Sequence, residues 1–355
     1  MSDTRPSSAN ERFSSFPRSQ RATIVQKVVI MPILVATDRE VVVIDVERGT
    51  SVSARGIGDR PTCLAADALV HGRAWCGTHR DGVFRTDDGG RSWRSVGLAG
   101  RLIMAIAASP VERGVVWVGT EPSEVWRSAD VGTTWEQTSR LETLPSSSTW
   151  SFPPRPDTHH VRWIACHPLE PERLWIAIEA GALVSTIDNG RTWRDRVAGG
   201  PWDTHELAVH RNAPDTLRIS AGDGYFESDD AGATWRSPST GLEVGYLRSM
   251  ALDPGEPEAV VVSASSGPYT AYVAGRSDGR LYRRLTRERW ERVRDGWPEP
   301  PSTIAPLLCV GAKAGAMWAA DERGLHQSDD SGKSWRRVVG YATTPQHLRG
   351  LALLQ

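Results

Sequence analysis

The sequence has no apolar stretch long enough to cross a bilayer. Its most apolar run, Val28-Val29-Ile30-Met31-Pro32-Ile33-Leu34-Val35, is short and carries a proline. That region also lacks a small-residue cleavage site of the secretory kind. An excess of one charge is missing too. Lys and Arg total 42 against 43 Asp and Glu, a net of -1, so no strong field draws nucleic acid or an anionic membrane surface. Cysteine is scarce, and the four present (Cys63, Cys76, Cys166, Cys309) show no Cys-x-x-Cys spacing. Cys63 and Cys76 are spaced to face each other across a hairpin, but buried thiols in a reducing cytosol are the simpler reading. The expectation is a soluble cytoplasmic protein with neither nucleic-acid nor membrane partners.

Phenylalanine is also scarce, at five residues against fifteen tryptophans, and that imbalance traces to an internal repeat. The octapeptide Ser/Thr-x-Asp-x-Gly-x-Ser/Thr-Trp occurs five times, from Thr86, Ser128, Thr186, Ser228 and Ser328 to Trp93, Trp135, Trp193, Trp235 and Trp335. Each copy follows a short apolar strand and has hairpin chemistry: aspartate accepts from turn amides, glycine takes a positive φ, and the hydroxyl ties down the next strand. The tryptophan is then expected to cover a seam between units, burying about 150–250 Å². A calcium-loop reading fails because no glutamate stands at the closing position.

Each octapeptide closes a longer unit of four short strands, the content of one propeller blade. Units start near Thr62, Met104, Arg162, His205, Arg248 and Thr303. The unit from Arg248 to Val293 keeps strands but has lost the octapeptide. The first, Ile33 to Val52, lacks an inner strand, and the closing segment His347–Leu354 is an inner strand with no unit of its own. Joining the two predicts an all-β, seven-bladed β-propeller over residues 31–355, closed by the C-terminal strand and without an exposed sheet edge. The first thirty residues, Ser- and Arg-rich up to about Gln20, read as a flexible tail or as an overextended start.

The repeat and blade pattern resemble the Asp-box, or bacterial neuraminidase repeat, superfamily over about residues 31–355. That superfamily includes sialidases, xyloglucan hydrolases, sortilin-type receptors and a photosystem II assembly factor, so the resemblance implies fold far more than activity. The Arg-Ile-Pro tripeptide of sialidases is absent here, and the xyloglucan hydrolases use two propellers where this chain has length for one. A glycosyl-hydrolase-like activity is what the resemblance offers as an expectation.

Octapeptide hairpins and the turns between first and second strands should share one face, leaving the remaining connections on the other. The functional elaboration falls on that second face. The connection Ser139–Val161 is far longer than its equivalents and holds Trp150, His159 and His160, and long loops in compact repeats tend to be functional. The insertion Gly267-Pro-Tyr269-Thr-Ala-Tyr272 lies there as well. Second strands end at Asp38, His79, Glu121, Glu179, Asp223, Ser265 and Asp321; inner strands begin with Arg162, His205, Arg248 and Arg349 in four blades. Such residues also serve as turn caps and inter-blade ion pairs. Density singles out blades four and five, where His159, His160, Arg162, Glu179, Asp203, His205, Asp223 and Tyr225 are expected on adjacent loops.

Three chemistries fit that cluster. Glu179 and Asp223, with His205, would act as acid and base or nucleophile in glycoside hydrolysis. His160, His205 and Glu179 would hold a divalent metal, although nothing in the sequence demands a cofactor. Arg162, Arg248 and Arg349 would grip a carboxylate or phosphate, with His159, His160, Trp150, Asp203, Tyr225 and His79 around it. A non-catalytic scaffold for a protein partner is the remaining option. Pocket shape separates them: an enzyme needs a concave mouth with converging polar groups, a scaffold a flat or plugged one.

Overall fold

In all five octapeptides the same bonds recur. The first hydroxyl accepts the glycine N–H at 2.8–3.0 Å and donates its own proton to the aspartate. The aspartate accepts the N–H and the hydroxyl of the residue before the tryptophan. Two successive residues take positive φ, the second being the glycine at 76–92°, a conformation that costs a residue without Cβ little. The hairpin is therefore closed by its own side chains.

These hairpins sit in a computed structural model that describes Met1, residues 32–301 and residues 303–354. The expected tail over residues 1–30 lies, Met1 aside, outside the described residues. The remainder forms seven antiparallel sheets, each a blade, with strands in sequence order in six of them. The first is completed from the far end of the chain: Leu348–Leu353 pairs with Ile33–Thr37, with Ile33 opposite Leu353 and Leu34 opposite Ala352. In blades four and five the fourth strand is reduced to single bridges, Ser185 to Arg194 and Glu227 to Arg236. All four cysteines are free.

Inner strands contact one another in a closed circuit, and apolar side chains collect between blades. The described residues form seven hydrophobic clusters, one per seam. Tryptophans occupy two repeat positions there. Those on second strands (Trp75, Trp117, Trp175, Trp318) are buried. Those of the octapeptides are unequal: Trp93 and Trp335 are buried, whereas Trp135, Trp193 and Trp235 are half-buried. Trp335→Ala should therefore cost about 3–5 kcal/mol through cavity formation. Trp235→Ala should cost clearly less, and urea titrations that rank the two in the reverse order would contradict this seam assignment.

The two faces separate as the repeat requires. Octapeptide turns bond to first-to-second-strand turns (Gly89 to Gly72, Val131 to Gly114, Ala231 to Asp215, Ser331 to Gly315). On the other face, second-to-third-strand turns bond to the connection entering the same blade (Asp38 to His347, Glu179 to His160, Gly222 to Asp203) or the next one (Gly279 to Thr303).

One irregularity positions the site. In six blades the inner strand has a bulge near its entry, and the unpaired residue is Thr62, Met104, Arg162, His205, Arg248 or Arg349. A bulge re-aims the side chain it carries. Blade seven, whose inner strand starts later at Leu307, has none.

Candidate functional site

Four of the six bulged residues are cationic or imidazole side chains, and they turn toward one mouth of the central channel. Arg162 places Nε 3.3 Å from Glu179 Oε2. Burial works against its charge, but Glu179 outweighs it and holds the guanidinium firmly protonated. Arg248, from blade six, donates to the Ala305 carbonyl at 2.6 Å and to the Leu348 carbonyl at 2.8 Å, and lies 4.5 Å from the Tyr272 ring. Its buried Nε has no partner. Burial pulls Arg248 down to about 10, with Arg162 and Arg349 adding to the fall. Partial burial of its guanidinium lowers Arg349, from blade one, and Arg162 lowers it further. Among the described residues neither Arg248 nor Arg349 forms an ion pair with a carboxylate, and Glu179 pairs only with Arg162 among the three.

Two tyrosines close over these cations. Tyr246 begins the inner strand of blade six, and Tyr272 ends the short helix Pro268–Tyr272 of the insertion. Their hydroxyls are 3.3 Å apart, and both rings stand beside Arg162. Arg60 adds a further positive charge near Arg349 and contacts His79 Nδ1 at 3.1 Å. Deeper in the channel Glu206 accepts from Ser249 Oγ at 2.7 Å and Met250 N–H at 3.1 Å, and burial raises its carboxyl to about 7. Arg60, Glu206, Tyr246 and Tyr272 had no role in the sequence reading, although Tyr272 stood in the insertion that it marked.

Next to the arginines lies an acidic and imidazole cluster. Glu179, Asp203 and His205 each present one donor atom, all within 4.8 Å of one another. Glu179 Oε2 is 2.6 Å from His160 Nε2. Burial alone would raise Glu179, but His160 and then Arg162 bring it down to about 2. Burial raises Asp203 above the usual carboxylate range against the pull of His205, and Glu179 reinforces the rise. Burial also lowers His205 below the ordinary imidazole value. Its Nδ1 lies 2.6 Å from the Leu247 carbonyl; a carbonyl only accepts, so Nδ1 carries the proton and Nε2 presents a lone pair.

Several expected site residues have other work. Asp223 is exposed and accepts the Trp202 and Asp203 N–H groups at 3.3 Å, so it braces the loop, and the carboxylate facing Glu179 is Asp203. Tyr225, expected on a mouth loop, lies in the third strand of blade five. It is buried against Trp290 and Arg284 in the seam to blade six, because its strand parity points it inward. Trp150 is buried with Leu141 and Leu144 in the seam of blades three and four, where it anchors the long connection. His159 bonds Ser123 at 2.8 Å, and His160 lies behind Glu179. Along the ring of second-strand ends, Glu121 takes a two-pronged pair from Arg155. Ser265 bonds Asp278, and Asp321 serves Thr303, Arg323 and His326. That ring is mostly turn and loop bracing, with Glu179 the exception.

No family model matches the sequence, and no curated protein matches it. Its likeness is to solved propellers. An ancestral GH74 enzyme is 15% identical, with a TM-score of 0.61 over 79% of this chain and 39% of the other. The GH74 xyloglucanase from Xanthomonas campestris is 14% identical at a TM-score of 0.66, covering 87% of this chain and 52% of that one. YCF48, solved bound to D1 peptide, is 17% identical at a TM-score of 0.55, over 78% of this chain and 80% of that one. The chain thus spans 39% and 52% of these two GH74 enzymes, and at such identities the likeness extends to the propeller fold. No helix among the described residues is long and apolar enough to cross a membrane.

Proposed function

We propose that this propeller binds an anionic group, a carboxylate or a phosphate, in the mouth of its channel opposite the octapeptide hairpins. The observation that carries this reading is charge balance at the bulges. Three guanidiniums from blades four, six and one turn to one mouth, and Glu179 pairs with only one of them. Bringing like charges together in a half-buried place is costly unless an anion joins them. Arg349 and Arg162 supply the free donors, while Arg248, whose donors go to backbone carbonyls, supplies field. Recognition without reaction fits a mouth covered by Tyr272 better than hydrolysis does. A peptide carboxylate is one source of the anion, as YCF48 was solved with a peptide bound.

A hydrolytic reading draws on a different pair from Glu179 and Asp223. Glu179 held ionised and Asp203 shifted upward, side by side, divide base and acid roles between them. The two readings part experimentally. Calorimetric titration with citrate and with inorganic phosphate should show Arg162→Ala and Arg349→Ala each weakening binding about 10- to 100-fold, the range of a charge-assisted hydrogen bond. Affinity should also fall with added salt. Equal affinity in both variants and the parent protein would remove the anion reading. Turnover of aryl glycosides that Asp203→Asn abolishes, with citrate binding intact, would establish hydrolysis instead.

A further inference from the structure

Each member of the Glu179–Asp203–His205 cluster is held from outside by one atom, and each brings a ligand atom within 4.8 Å of the others. His205 is fixed through Nδ1 by the Leu247 carbonyl. Asp203 is fixed through Oδ1, which accepts the Ala180 N–H at 3.0 Å, leaving Oδ2 3.6 Å from His205 Nε2. Glu179 is fixed through Oε2 by His160, whose other ring nitrogen lies 3.6 Å from Glu121 Oε2. A ring nitrogen bonded to a backbone carbonyl, and a carboxylate backed by an imidazole, are the supports that orient ligands around a metal ion.

Two further observations suit the cluster to a ligand. His205 is 1% exposed, and the nearest donor to its Nε2 is the Tyr246 hydroxyl at 3.5 Å. That contact is long for a hydrogen bond and the same hydroxyl also bonds Tyr272 at 3.3 Å, so the buried Nε2 is weakly held and can take a stronger partner at the cluster. The room there depends on Gly222, where an added Cβ would stand 2.0 Å from Asp203 Oδ2 and 3.3 Å from the His205 ring. We infer that Glu179, Asp203 and His205 form a binding site for a first-row divalent cation, with His160 positioning Glu179 from behind. One imidazole and two carboxylates suit zinc, manganese or cobalt, whereas calcium takes oxygen ligands alone. Three protein ligands leave open positions toward the mouth. This goes beyond the anion reading and does not depend on it, because the guanidiniums bind anions with or without a cation alongside.

The test uses the full chain after chelator treatment, titrated with cobalt(II) chloride and followed by visible d–d absorption, with zinc chloride as competitor. One equivalent should give saturable absorption that zinc displaces and calcium leaves unchanged. His205→Asn and Asp203→Asn should abolish it, and His160→Phe should weaken it about 10- to 100-fold, as loss of an outer support does. Melting curves identify any variant that fails to fold, and Glu179→Gln then serves as the replacement. Arg349→Ala, which weakens citrate binding in the preceding proposal, should keep the cobalt signal, so the two proposals fail separately. No saturable cobalt signal in the parent protein, or an equal signal in His205→Asn and Asp203→Asn, overturns the site.

Discussion

A chain ending at His347 is expected to lose its folded ring and not merely a frayed end. Leu348–Leu353 supplies the inner strand of blade one, and its removal strips Ile33–Thr37 of a ladder partner. It also empties two seams at once. Leu348 packs between blades seven and one, and Leu354 between blades one and two. With Ala352, these side chains are at most 4% exposed. At about 1.5–3 kcal/mol for each fully buried leucine, the two leucines alone contribute about 3–6 kcal/mol, a large share of the roughly 5–15 kcal/mol that stabilises a typical domain. Arg248 would lose the Leu348 carbonyl that takes one of its donors, leaving a buried cation worse satisfied. Urea titration followed by far-UV circular dichroism should find the truncated chain unfolded, or with a midpoint lowered by most of the parent's value. An unchanged midpoint would mean that the ring closes by other means.

The architecture was legible because its determinants are local. Eight residues close an octapeptide hairpin with their own hydroxyl, carboxylate and glycine, so each copy reports its geometry wherever it stands. Ring closure followed from arithmetic on strands, an incomplete first unit and an unassigned last one. Less legible was the shortening of the fourth strand in blades four and five. There Gly199-Gly200-Pro201 and Pro238 follow the octapeptide tryptophans closely, and proline cannot donate to a ladder.

The site was legible where position in the repeat decides it and obscure where loop conformation does. Aligning strand starts picked out Arg162, His205, Arg248 and Arg349, the bulged positions in four of the blades. It did not distinguish Asp203 from Asp223, since which carboxylate faces Glu179 depends on how residues 200–203 cross the blade. Tyr225 was misplaced for another reason. It shares strand parity with Glu227, and both point into the seam, so counting by twos from Glu227 would have put Tyr225 indoors. Tyr246 carries a similar signal, two residues before Arg248 on the strand that brings both to the mouth.

Replacing Glu227 by alanine is expected to cost more than any other single charge removal in the chain, about 3–5 kcal/mol. Glu227 is 1% exposed and stands at the centre of the seam between blades five and six. Arg284 and Arg236 bond its two oxygens, Arg218 lies 3.8 Å away, and the Tyr225 hydroxyl donates to it at 3.2 Å. Arg218 and Arg284 are themselves no more than 1% exposed. Glu258 still reaches Arg218 at 3.0 Å, but the ion pair of Arg284 is with Glu227 alone among the described residues. Alanine would therefore strand a buried guanidinium, which is dearer than the loss of the pair itself. Burial pushes Glu227 upward, yet Arg236 and Arg284 outweigh it and leave its carboxyl below the ordinary value. A depressed carboxyl stabilises the fold above its unfolded pKa and ceases to as pH falls through the folded one. The parent protein should hence lose stability below about pH 4, and the Glu227→Ala variant should lose less over the same interval. Glu227→Gln keeps the shape, so it should fall between the two at pH 7. Urea midpoints for the three proteins at pH 7 and pH 3.5 provide the check. Parallel losses on acidification would show that Glu227 carries no linked proton, and a neutral-pH cost under 1 kcal/mol would show that the arginines find other partners.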